Sequence, residues 1–182
     1  MRFPQLHELH VPCEFVEVVA GELHPDGRRY LPLLVFALDP DPRHTVTPAG
    51  FRLGVVDRHH RVDLNTCGRR GMARLVCALG RFQPQLAPFH LGWQPERASL
   101  ISTMPTIFAQ IEEVLTWEHQ QGYLAHESLY AELRVVIGQS RLGFRNSLTA
   151  PAIREVLGKD RLAAGDFIQL ERPRIDILAF EV

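Results

Sequence analysis

At 182 residues, with 46% apolar and 23% charged side chains, the chain is long enough to bury a core unaided and suits one domain or two small ones. A net charge of −1 and a pI near 6.8 exclude a protein that coats polyanions with its whole surface, so any anion site must be local. Three cysteines without a C-x-x-C pair, Cys13, Cys67 and Cys77, do not make a disulfide framework and read as reduced thiols of a cytoplasmic protein.

The lead-in over residues 1–12 holds Pro4, Pro12, His7 and His10 and lacks an apolar signal core. The longest apolar run, Leu31 to Leu38, is too short to span a bilayer, so a soluble, unexported protein without a membrane partner is expected. Cys13 to Val19 alternates as a strand, His24-Pro25-Asp26-Gly27 has strong turn chemistry, and Arg29 to Leu38 is branched and aromatic. Residues 13–38 therefore predict a β-hairpin, with Pro32 near a strand start, an edge or a bulge. Asp39 to Gly50 reads as a loop, Phe51 to Val56 as a strand, Val62 to Leu64 as a short return strand and Met72 to Leu79 as another. Residues 83–104, with Pro84, Pro88 and Pro95, predict a packed connector.

Pro105 to Gln121 reads as a helix capped by Thr103, because Ile107, Phe108, Ile111, Val114 and Leu115 recur at helical spacing. Residues 124–137 fit a helix through Leu129, Leu133, Val136 and Ile137, and a strand through Ala131, Leu133, Val135 and Ile137; the second half stays open. Ser140 to Ser147 reads as a loop, residues 150–158 as a helix ended by Gly158, and 166–171 with 175–181 as a C-terminal hairpin around Arg172-Pro173-Arg174. The expected fold class is α+β: a β-rich half over 1–82 (a small barrel or curved antiparallel sheet), the connector 83–104, then a helical segment and hairpin over 105–182.

The strongest asymmetry lies between Phe51 and Phe82. Arg52, Arg58, Arg61, Arg69, Arg70, Arg74 and Arg81 face only Asp57 and Asp63, a local charge of +5. Arginine forks match phosphate, and a basic strand pair can track a nucleic-acid backbone, with Phe51, Phe82 and Tyr30 as stacking surfaces. The bland alternative is a solvated face whose arginines pair with Glu14, Glu17 or Glu22. Strand order and composition resemble those of small nucleic-acid-binding barrels of OB type, by analogy alone. Asp57, His59, His60 and Asp63 form a second candidate, a divalent-metal site for hydrolysis, although adjacent strand residues point to opposite faces. Cys67, beside Arg69 and Arg70, is a third, as a reactive thiol, while Cys77 in an apolar strand should be inert. The order of helices and hairpin after residue 105 also follows that of a winged helix. Its third helix, with Arg154, Glu155, Lys159 and Asp160, is nearly neutral, and Arg172 and Arg174 sit at the tip.

These readings predict a non-catalytic binder of single- or double-stranded nucleic acid that uses the seven arginines and needs no cofactor. The alternatives are a self-associating interaction or scaffold protein, with Phe89, Leu91, Trp93 and Trp117 at its interface, or a metal-dependent hydrolase at Asp57, His59 and Asp63.

Overall fold

A computed structural model describes residues 5–78, 80–97, 101–121 and 127–182. Strand β1 (Glu8–Val19) sets the pattern for the rest. Leu9, Val11, Cys13 and Phe15 are buried while Glu8, His10, Pro12 and Glu14 alternate outward, the period-two signature of a half-buried strand. The chain continues through β2 (Leu33–Leu38), β3 (Arg52–Val56), a 3-10 turn at Leu64–Thr66, β4 (Arg70–Ala78), β5 (Arg81–Pro84), β6 (Gly92–Gln94) and β7 (Ile101–Ser102). Then follow β8 (Thr106–Gln121), β9 (Glu127–Ile137), β10 (Ser140–Thr149), α1 (Ala150–Leu157), β11 (Phe167–Glu171) and β12 (Arg174–Glu181).

All twelve strands belong to one sheet, ordered β5-β11-β8-β9-β10-β1-β2-β3-β7, with β4 and β12 branching from β1 and β6 from β8. The pairing is antiparallel except between β3 and β7, which run parallel. The branch at β1 arises because one edge carries two partners. Leu9 and His10 pair with β10 and Cys13 to Val19 with β2, while the opposite edge pairs with β4 from Glu8 to Glu14. The main apolar cluster runs from β1 through β12 and includes Trp93, Leu133, Leu162 and Ile177, and Leu129 with Ile153 of α1 forms a smaller one.

The α+β expectation is overturned: 54% of the chain is strand and 5% helical. In place of the helix expected over 105–121 stands β8 (Thr106–Gln121), in which two β-bulges displace the inward side chains. Ile111 pairs with Val135, Val114 with Leu133 and Trp117 with Ala131, with register shifts between each pair. The inward residues thus advance by three instead of two, which imitates a helix. Segment 127–137 is also a strand, since Leu129, Ala131, Leu133, Val135 and Ile137 are all buried by strict alternation; residues 124–126 of the expected helix lie outside the described residues. Ser140 to Ser147 is strand rather than loop, paired with β9 throughout. Its hairpin turns on Gly138-Gln139 with Gly138 left-handed (φ 60°), the glycine-first two-residue turn. Segments 167–171 and 174–181 are strands but do not pair with each other. β11 joins β5 and β8, and β12 joins β4.

Other expectations agree. The hairpin over 13–38 forms, with Pro32 immediately before β2. Helix α1 sits where predicted and ends at left-handed Gly158 (φ 66°). Val62 to Leu64 forms no return strand, and the proline-rich connector contributes β6, whose Trp93 is fully buried against Phe51. No helix among the described residues is long and apolar enough to cross a membrane.

Candidate functional site

The seven arginines fall on β3, the following loop, β4 and β5, and those three strands do not pair with one another. Four of the seven meet carboxylates. Arg52 lies 3.6 Å from Glu17 and Arg58 3.6 Å from Asp176. Arg70 bonds Asp39, and Arg74 bridges Glu8 at 2.8 Å and Glu181 at 3.0 Å. Glu17 was an expected partner; Glu8, Asp39, Asp176 and Glu181 are not adjacent in sequence and become partners only through the sheet. Arg61, Arg69 and Arg81 are exposed, and none of them forms an ion pair among the described residues. The stacking candidates divide likewise: Phe51 and Phe82 are buried, and Tyr30 is 59% exposed.

Asp57 is buried, and its carboxylate accepts the backbone N–H groups of His59 (3.3 Å) and Val62 (2.9 Å). Burial pushes its pKa up, but the N–H groups of Arg61, Val62 and His59 together outweigh this and hold it below the usual carboxylate range. Asp63 caps the 3-10 turn by accepting from the Asn65 N–H at 2.9 Å. Among the described residues no three His, Cys, Asp or Glu groups converge as a metal site. Cys67 is exposed, whereas burial drives the Cys13 and Cys77 thiols up to about 12. Arg154 pairs with Asp160 at 3.3 Å and Arg174 with Asp176 at 3.0 Å.

Residues given no shared role by their sequence form an exposed feature of the fold. Beyond the last β1–β2 pair, Val19 with Leu33, the two chains stay together as a narrow arm. Tyr30 donates its N–H to the Glu22 carbonyl (2.9 Å), Leu23 bridges Arg29, and His24 donates to the Arg28 carbonyl (2.6 Å). The Gly27 N–H closes the Pro25-Asp26 turn on the His24 carbonyl at 2.9 Å. Gly21 lets the strands approach at the neck, where a Cβ would collide with the Tyr30 carbonyl. From Glu22 to Leu31 every residue except His24 is exposed.

Three of the ten exposed large apolar side chains among the described residues lie here, Leu23, Tyr30 and Leu31, and a fourth, Val18, stands at its base on β1. Leu23 is 62% exposed, and Tyr30 packs edge-on against His24 with ring centroids 5.4 Å apart. Arg28 grips Asp26 through Nε (2.8 Å) and Nη2 (2.6 Å) and thereby lowers the Asp26 pKa. Glu22 and Asp26 balance Arg28 and Arg29, so the arm is electrically neutral.

No family model, curated protein or solved structure matches the chain. The site therefore rests on its own geometry. A neutral arm that exposes Leu23, Tyr30 and Leu31 and is braced by its own backbone ladder offers contact area and shape to another surface. The expected interface aromatics do not form such a surface. Trp93 is in the core, Trp117 packs against the cluster of Leu129 and Ile153, and Phe89, 48% exposed, stacks on Phe167 at 4.6 Å.

Proposed function

We propose that the protein is a self-associating interaction module whose β1–β2 arm packs against the same arm of a second copy. The observation that carries this reading is the concentration of Val18, Leu23, Tyr30 and Leu31 on one exposed, backbone-braced hairpin. The choice of a second copy follows from charge. A two-fold interface sets a surface against itself, so a patch of one sign repels its partner. The arm is neutral, and Arg29 beside Tyr30 can meet Glu22 across such an axis. Tyrosine and arginine are also the residues that dominate binding energy at interface centres.

Sedimentation velocity from about 1 μM to about 1 mM tests this. The wild type should associate as concentration rises, and Leu23→Asp and Tyr30→Asp should each weaken association about tenfold or more. Both residues are exposed, so melting temperature should stay unchanged. A wild type that stays monomeric across the range, or variants that associate as it does, overturns the proposal.

A second reading, polyanion binding, is supported by the exposed Arg61, Arg69 and Arg81. Fluorescence anisotropy with a labelled oligonucleotide should then show Arg69→Glu plus Arg81→Glu weakening binding at every sequence and flattening its salt dependence. Wild-type protein that leaves the oligonucleotide unbound at low salt removes that reading.

A further inference from the structure

We infer that the groove between β1, β4 and the β9–β10 turn binds a small organic anion, an oxyanion head carried on an apolar body. The groove encloses about 460 Å³, within the range that small ligands occupy, and shares no residue with the hairpin arm. Its floor is apolar, made by Pro12 and Met72, which face each other in the β1–β4 register. Its basic side chains come from three separate segments: His10 on β1, Arg43 in the loop after β2, and Arg141 on β10. His10 and Arg141 are register partners, so they stand on adjacent strands. No carboxylate lines the groove.

Acids hold two of these side chains from behind. The Asp41 side chain is 1% exposed and holds Arg43 through Nε (2.9 Å) and Nη2 (2.7 Å), while the Arg43 side chain is 59% exposed. That grip fixes the guanidinium plane and leaves the Nη1 hydrogens for a further acceptor. Gly138 makes the arrangement possible: a Cβ there would collide with the Asp41 carboxylate and crowd His44. His10 is similarly backed by Glu8 at 3.2 Å, whose other oxygen takes Arg74 at 2.8 Å. Fixed donors that need no rearrangement are what a receptor for a charged head requires. The flat floor of Pro12 and Met72 then accepts the body that carries the head. Phosphate and carboxylate share this chemistry.

Titration of the ¹⁵N-labelled protein with phenyl phosphate, with benzoate and with uncharged benzyl alcohol tests the site. One or both anions should shift the amides of Gly138, Gln139 and Arg141 saturably, and the tighter of the two identifies the head. Benzyl alcohol should leave those amides in place. Arg43→Gln and Arg141→Gln should each weaken the anion about tenfold. If Arg43→Gln loosens the loop that Asp41 anchors, Arg141→Gln still decides the matter. Failure of both anions to shift the three amides overturns the inference. So does equal binding of benzyl alcohol, or unchanged affinity in Arg141→Gln.

Discussion

Asp41 shows how a single carboxylate organises its surroundings. Hydrogen bonds from the Arg43 side chain lower its pKa to about 2, against the upward push of burial. The Arg43 backbone N–H adds a bond at 2.9 Å. The fold therefore favours the ionised form. A carboxylate depressed in this way contributes stability that is complete above the ordinary value of 3.8 and lost as pH falls through about 2. The contribution is roughly 2 kcal/mol. Urea unfolding of Asp41→Asn should accordingly show a loss of that order at pH near 5, and the gap to wild type should narrow steadily between pH 4 and pH 2. A gap that does not change with pH would mean that Asp41 acts through its shape alone.

Asp57 carries a related lesson about legibility. Its neighbours His59, His60 and Asp63 suggested a metal site, yet its oxygens are occupied by backbone N–H groups two and five residues ahead. An aspartate that opens a tight loop has this local use, and residue type alone does not distinguish it from a ligand.

At the scale of elements, legibility followed locality. The hairpin over 13–38, the Pro25-Asp26 turn and helix α1 depend on residues a few positions apart, and all were readable. The β8–β9–β10 run was not. Its bulges fall at Glu112 and Leu115, and a bulge is set by the partner strand as much as by its own sequence. The three-residue steps Ile111, Val114 and Trp117 then carry a false helical period. β9 gave a clean alternation, but the competing spacing of Leu129, Leu133 and Val136 left it undecided. The exposed Glu112, Glu113 and Glu118 on β8 together with its two bulges also discourage further pairing along that strand. This favours the arm over the stretch of β8 beyond β11 as the place where copies meet.

At the scale of the molecule, the charge run between Phe51 and Phe82 was legible and its disposition was not, because Glu8, Asp39, Asp176 and Glu181 come from four other places in the chain. The same long-range pairing decides how the protein should unfold. Residues 1–82 and 105–182 contribute strands to one sheet, and β1 bonds β10 and β4 along opposite edges. Most of their buried side chains form one cluster, and Trp117 and Leu157 pack against both it and the smaller cluster of Leu129 and Ile153. Removing residues 105–182 would expose the edge of β1 that pairs with β10, and removing residues 1–82 would expose β10; either opens much of the main cluster, so partial unfolding has no obvious place to stop. Two tryptophans report on separate regions, Trp93 packed with Phe51 in the core and Trp117 against the cluster of Leu129 and Ile153. Urea titrations followed by far-UV circular dichroism, by fluorescence of Trp117→Phe and by fluorescence of Trp93→Phe should each be single transitions. Within each variant, the fluorescence and dichroism midpoints should coincide. Separated midpoints in the Trp117→Phe protein would show that the region around Trp93 melts on its own, and that the strand exchange through β1 does not couple the two parts of the chain.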